Sequence, residues 1–321
     1  MGQALSSKAS SLLQMENPSS SDAEPGASYL PTIADIIQVK DIFSQTSPPL
    51  PIELIDQIID DASYWPHSSI TLTKSAIVPN YRTGGIQDEM YMRTLPLAVP
   101  GVEGSIALSG TEAEDEKSIA LGLVEGGDPT NGKWLPPRGE NPARKIVFKL
   151  WSKDQGWSGE HDNHGTYRGS YTWFDAGIET PKFDNITLND PISWPVHLIA
   201  HPSDSSRLSS SDSKSEPSSS FEFITDNQTP FLPPPTTLQR NIHAKKSVHN
   251  HTVVWHYLDC VEEGSADAIE AGERGQGWKS LDGTFVRGMK VGDCVTLWMR
   301  ARFPEWVMRV SKATIDIYWA V

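Results

Sequence analysis

The sequence predicts a mainly β protein, a β-sandwich or jelly-roll-like domain with a small helical N-terminal element and a disordered tail. Three observations carry the prediction. From Ser75 onward, short runs rich in β-branched and aromatic residues recur between clusters of Gly, Pro, Asp and Ser, the rhythm of an all-β domain. In the clearest run, 294–303, side chains alternate: Val295, Leu297, Met299, Ala301 and Phe303 make a core face, and Thr296, Trp298, Arg300 and Arg302 the opposite one. Finally, 24 Gly and 24 Pro among 321 residues, of which 37% are hydrophobic, leave much of the chain for loops.

Taken in order, residues 1–28 are Ser-rich and polar and bury too little apolar surface to order themselves. Residues 29–70 hold the helical element. Ile33, Ile36, Ile37 and the residues to Phe43 fit a short amphipathic helix, and a sharper one starts at Pro51, whose missing N–H costs nothing in a first turn. Glu53 favours the positive end of its dipole, Leu54, Ile55, Ile58 and Ile59 form an apolar stripe, and Pro66 ends it. Residues 75–321 form the β domain, with extended runs at 75–78, 90–97, 145–151, 170–178, 195–201, 221–225, 251–258, 294–303 and 314–319. Two polar stretches, 101–143 and 203–220, read as mobile surface loops.

Composition excludes some functions. With 27 basic against 41 acidic residues, net −14, no global positive field exists to hold a phosphate backbone, so no nucleic-acid partner is expected. The two cysteines, Cys260 and Cys294, have neither a disulfide framework nor zinc-site spacing, which fits a reducing cytoplasmic or nuclear compartment. The start, MGQALSSK, matches the N-myristoylation pattern, with Gly2 as acceptor and Ser6 at the favoured position. One acyl chain gives weak, reversible membrane association. An ordinary disordered start is the alternative.

Leu50-Pro51-Ile52-Glu53-Leu54-Ile55, followed by Ile58 and Ile59, resembles the opening of an F-box over about one helix. The resemblance implies docking through Leu50, Pro51, Leu54 and Ile58 onto the Skp-type adaptor of a cullin ubiquitin ligase, with a C-terminal domain capturing the substrate. A helix that caps the following domain, Trp65 included, is the competing expectation.

Within the β region the order strand, QGW, strand occurs twice: Gln155-Gly156-Trp157 after 146–151, and Gln276-Gly277-Trp278 after 252–258. This is expected from two hairpin-like units facing one another across a sandwich. The ordered set of Asp154-Gln155-Gly156-Trp157, Gly169-Ser170-Tyr171-Thr172-Trp173-Phe174, His251 to Trp255, and Leu297-Trp298-Met299-Arg300-Ala301-Arg302-Phe303-Pro304 is similar to a family of uncharacterised fungal proteins, from roughly Ser47 onward. The similarity implies a shared fold and no known chemistry. A looser likeness links the chain to F-box proteins whose galactose-binding-like β-sandwich captures glycans or substrates.

No nucleophile elbow, phosphate loop or dinucleotide fingerprint occurs, and no cofactor is expected. His161, His164, His249 and His251 are the nearest approach to a metal set, but nothing in their spacing aims the imidazoles together, so no metal is assigned. The face of Trp298, Arg300 and Arg302, with Trp173 and Asp175 alternating on the neighbouring run, has two readings. One is a cross-strand ladder of Trp, Arg and Asp that covers a sheet. The other is a shallow ligand site extended by Trp157, Tyr167 and Trp278, suited to a glycan ring or an acidic peptide. The chain is therefore expected to be a non-enzymatic binding or adaptor protein. The alternatives are a hydrolase or metal-dependent enzyme with its site on the loops, and a scaffold held at membranes by its N-terminus.

Overall fold

A 13-residue strand, β11 (Val307–Trp319), is the spine of the fold, pairing along its length with three other strands. The computed structural model describes residues 30–79, 87–99, 103–110, 136–182, 222–225 and 229–321. Pro31–Val321 forms one unit. The first sheet contains β1 (His67–Thr73), β2 (Ala76–Pro79), β4 (Gly104–Ser109), β5 (Ala143–Lys153), β9 (His249–His256) and β11. Its order is β4-β1-β11-β5-β9, with β2 on the free half of β11. The second sheet runs β3 (Gln87–Arg93), β10 (Cys294–Ala301), β6 (Thr172–Lys182) and β7 (Glu222–Thr225), with the two-residue β8 (Gln239–Arg240) beside β6. The protein is thus the β-sandwich the periodicity predicts.

The core lies between the sheets because alternate side chains of each strand are apolar. Ile146, Phe148 and Leu150 of β5, Val253 and Trp255 of β9, and Ile315 and Ile317 of β11 are buried against Phe174 of β6 and Val295, Leu297 and Met299 of β10. Phe148 and Trp255 meet edge to face at 4.9 Å. Phe303 leaves this pattern: it follows the end of β10 at φ 65, and its ring packs on Tyr171 at 4.5 Å instead of entering the core.

Each QGW unit gives one strand to each sheet. The chain passes from β5 to β6 through the first QGW and from β9 to β10 through the second, while β5 pairs antiparallel with β9 and β6 with β10. The units therefore lie side by side, related as by a two-fold axis, and do not face one another across the sandwich.

Helix α1 (Ile33–Ser44) opens with a capping box, Thr32 and Asp35 exchanging hydrogen bonds, and helix α2 (Ile52–Asp61) starts after Pro51. Both belong to the same unit as the sheets. Ile33, Ile36, Ile55, Ile59 and Trp65 join the core, and Lys40 Nζ donates to the carbonyl of Val321 at 2.7 Å. Four elements escape the periodicity argument. β4 lies inside the stretch 101–143 expected to be loop, where Ile106 and Leu108 point inward in parallel pairing with β1. The Ser- and Thr-rich β1 and the short helices α3 (Ala266–Glu273) and α4 (Thr284–Gly288) carry weak apolar signals. The tail 1–28, the run 195–201 and the stretch 203–220 lie outside the described residues.

Leu297 is fully buried at the centre of β10. Leu297→Ala should lower the unfolding free energy by about 2–5 kcal/mol in urea titrations, whereas Val254→Ala on the exposed face of β9 should change it by less than about 0.5 kcal/mol.

Candidate functional site

The Trp and Arg row of β10 is closed. Arg300 Nε donates to Asp175 Oδ2 at 2.9 Å and its Nη1 pairs with Asp88. Arg302 holds Asp88 in a fork, Nη1 to Oδ1 at 2.6 Å and Nη2 to Oδ2 at 3.1 Å, and donates Nε to the Pro230 carbonyl at 3.0 Å. Trp173 Nε1 donates to the other Asp175 oxygen at 3.0 Å, and the Arg302 guanidinium lies 5.2 Å from the Trp173 ring centroid. Trp173, Asp175, Arg300 and Arg302 are all buried, and Trp298 is half-buried with Arg300 5.4 Å from its ring. Burial pushes the Asp175 carboxyl up while Arg300 opposes the shift. Two cations meet two carboxylates, so the cluster offers no free charge to a ligand. Alternation places Asp175 beside the row, but Asp88 escaped it because β3 reads as beginning near Met90.

A different site lies at the end of the sandwich where β5 finishes and β9 begins. Residues 237–243 run along β6 at this end of the second sheet; Thr237, Gln239, Asn241 and His243 are polar and buried, as are the apolar Leu238 and Ile242 between them. Asn241 bridges the sheets, accepting from Ser152 Oγ of β5 at 2.6 Å and donating to Thr172 Oγ1 of β6 at 3.0 Å. Gln239 Nε2 donates to the carbonyls of Arg240 and Arg274. His243 shares a 2.9 Å hydrogen bond through Nδ1 with the Arg168 carbonyl, which can only accept, so Nδ1 carries the proton and Nε2 is left without a partner.

Tyr167 closes this seam from the loop after the first QGW. Its ring stands 5.7 Å from His251, which is 6% exposed and points inward from β9. The ring fits because residue 275 is Gly at φ +80: a Cβ there would lie 2.5 Å from Tyr167 Cδ1. Neither ring nitrogen of His251 has a partner, and the hydroxyl of Thr237 lacks one too. Burial, helped by His249 and Lys245, lowers the His251 pKa to about 4, so its imidazole is neutral at pH 7. Burial also raises the Tyr167 phenol. Rings continue outside: His161 to His164 at 5.0 Å, His164 to His243 at 5.7 Å, and His243 to Trp306 at 5.2 Å.

The predicted ligand residues therefore divide. Trp157 is 55% exposed on its loop, Tyr167 lines the seam, and Trp278 is half-buried two residues after Gln276, which reaches Gln239 at 3.4 Å. Trp173, Asp175, Trp298, Arg300 and Arg302 sit in the closed ionic cluster on the second sheet. Sequence reasoning missed Thr237, Gln239, Asn241 and His251 as one site, although four polar residues at strict alternation, from Thr237 to His243, were a legible signal. Among the described residues, no group of three His, Cys, Asp or Glu side chains is placed to hold a metal ion, and no helix is long and apolar enough to cross a membrane.

At the opposite end, α2 divides its stripe by face. Ile55 and Ile59 are buried, whereas Leu54 is 47% and Ile58 40% exposed, with Leu50 half-buried and Pro51 exposed beside them. Asp56 pairs with Lys40 at 2.9 Å and with Arg138 at 3.2 Å, while Asp60 pairs with Arg138 and accepts from Trp65 Nε1 at 2.8 Å. Gly2 lies outside the described residues. No family model, curated protein or solved structure matches the chain.

Asp88→Ala would leave Arg302 and part of Arg300 buried without their carboxylate. It should cost about 3–5 kcal/mol in chemical denaturation, far more than an exposed pair such as Arg274 with Glu270. The lowered His251 pKa sets a pH dependence. Between about 6.5 and 4 the unfolded chain binds the proton and the folded chain does not, so stability falls as pH falls through that window. Between pH 7 and pH 5 the wild type should lose about 2 kcal/mol more than His251→Leu, measured by unfolding at each pH.

Proposed function

We propose that the protein is a non-enzymatic adaptor that holds a protein partner on α2 and captures a substrate at the seam end of its β-sandwich. The observation that carries this is the exposed Leu54 and Ile58 pair on a helix whose other face is anchored. An apolar stripe open to water on a fixed helix suits helix-in-groove recognition. Its Leu50-Pro51 start and Glu53-Leu54 pair fit a Skp-type ubiquitin-ligase adaptor as the partner. The two ends are well separated. α2 is tied through Asp60 to Arg144 at the start of β5, and the seam lies at its end, so the 11 residues of β5 put roughly 35 Å between them.

For the captured ligand, the closed Arg300 and Arg302 cluster favours a glycan over an acidic peptide. The seam offers neutral imidazole, amide and hydroxyl groups with aromatic faces, the combination that suits sugar hydroxyls and ring stacking. A hydrolase would need a carboxylate free to act with these histidines, whereas Asp154, beside His243, accepts from the backbone N–H of Gly156 at 2.8 Å and of Ala244 at 2.6 Å. Acylation at Gly2 would add reversible membrane visits from the cytoplasm.

Leu54→Asp with Ile58→Asp should abolish co-purification with the Skp-type adaptor and leave the melting temperature nearly unchanged. Ile55→Asp, by contrast, should unfold or strongly destabilise the chain, since it forces a charge into the core. A wild type that never retains the adaptor would refute the partner half of this reading. Intact-mass analysis should show a myristoyl adduct that Gly2→Ala removes; an unmodified or acetylated N-terminus would retire the membrane element.

A further inference from the structure

The first sheet ends in an edge strand whose outer side is open. β9 pairs with β5 alone, in unbroken register from Ser152 opposite His249 to Lys145 opposite His256. Tyr257 N–H donates to the Arg144 carbonyl at 2.9 Å, which sets the phase of the ladder: residues 249, 251, 253 and 255 turn their backbone groups to β5, and residues 250, 252, 254 and 256 turn theirs outward. His256 is closed by its own turn, its N–H donating to Asp259 Oδ2 at 2.7 Å and its carbonyl accepting from Asp259 N–H at 3.0 Å. Asn250, Thr252 and Val254 are exposed, and among the described residues nothing bonds their outward N–H and C=O groups. Edge strands that stay single carry charges, Pro, a bulge or little length. β3 has the exposed Glu89 and a bulge in its ladder with β10, β7 is four residues long, and β4 is bordered by residues outside the described set. β9 has none of these devices: its eight residues pair regularly and include no Lys, Arg, Asp, Glu or Pro.

Independently of the function proposed above, we infer that β9 is a docking edge for a second copy of this chain, the two β9 strands pairing antiparallel about a two-fold axis at Thr252. The symmetry of the edge selects this occupant. Asn250, Thr252 and Val254 are an odd number with one at the centre, so Thr252 meets the partner's Thr252 while Asn250 and Val254 meet the partner's Val254 and Asn250. Each such pair exchanges two hydrogen bonds, so every outward N–H and C=O of these residues in both copies finds a partner. No paired position is charged, and Thr opposite Thr is a favourable cross-strand pair. The contact is small, which makes the dimer weak. Each copy carries net charge −14, and Lys149 flanks Thr252 on β5, so the copies repel until salt screens them. Association therefore strengthens as salt rises, the reverse of a contact held by ion pairs.

Sedimentation equilibrium on the full chain, in about 0.05 M and about 0.5 M salt, tests this. The wild type should dimerise with a Kd on the order of 10–100 µM at the higher salt, and about threefold or more weakly at the lower. Thr252→Lys and Thr252→Glu each set like charges across the axis and should each be monomeric, whereas their equimolar mixture should recover a heterodimer. Thr252→Pro removes one outward N–H and no bond to β5, so it should weaken the dimer by about tenfold with little change in melting temperature. If that variant melts early, hydrogen exchange carries the comparison: in the wild type, peptides covering 249–256 should exchange more slowly as concentration rises. Four results overturn the inference. The first is a monomer up to about 500 µM in both salts, and the second a dimer that both charged variants keep. The third is a mixture of those variants that stays monomeric, or a dimer abolished by Leu54→Asp with Ile58→Asp, which assigns the contact to α2. The fourth is β9 exchange that slows only when another protein is added, which makes the edge a site for a foreign extended segment.

Discussion

Asn241 fixes one end of the sandwich. Its amide accepts from Ser152 of the first sheet and donates to Thr172 of the second, and its backbone N–H donates to the Thr172 carbonyl at 3.0 Å. Apolar contact holds two sheets together but is non-directional, so it leaves their relative sliding weakly specified. A satisfied buried amide is directional and specifies one alignment. Residues on either side depend on that anchor. With Asn241 pinned, Gln239 meets the end of α3 and His243 meets the Tyr167 loop, through the Arg168 carbonyl and through its own N–H on the Thr166 carbonyl at 2.7 Å.

The fold was legible wherever burial alternated along a strand, and less so elsewhere. Val295, Leu297, Met299 and Ala301 announced their face, and each is fully buried. β1 was invisible because Ser68, Ser69, Thr71 and Thr73 give it little apolar signal; it is a strand through its ladder with β11 and β4. β4 was hidden inside an acidic stretch whose composition outweighed two inward residues. Sequence alternation also located the Trp and Arg row correctly on one face, but it says nothing about what covers a face. Asp88 and the Pro230 carbonyl, which close the row, come from chain segments remote in sequence.

That closure changes the electrostatic character of the molecule. Arg300 and Arg302 are two of only 27 basic residues in a chain of net charge −14, and both are neutralised internally by Asp88 and Asp175. A second buried pair, Arg93 with Glu179, lies on the same sheet. Removing one partner from such a pair is costly, yet the intact pair contributes little net stability over apolar residues of similar size. Its physical role is to cover the second sheet without leaving free charge. The long-range field is therefore set by exposed acidic residues, and recognition of an acidic partner would begin against repulsion.

For the adaptor function proposed above, what matters is whether α2 and the seam are held at a fixed distance. Here the link between them is β5, hydrogen-bonded on both sides, to β11 and to β9, along nearly its whole length. A central strand of this kind is among the last elements to open locally. α2 is held to one end by Ile55, Ile59 and the ion pairs of Asp56 and Asp60, and the seam is built on Ser152 and Asp154 at the other. Neither region therefore needs a flexible hinge to be positioned relative to the other. Leu54 and Ile58 thus stay exposed at the end of β5 away from the seam, on a helix whose opposite face, Ile55 and Ile59, is buried in the core.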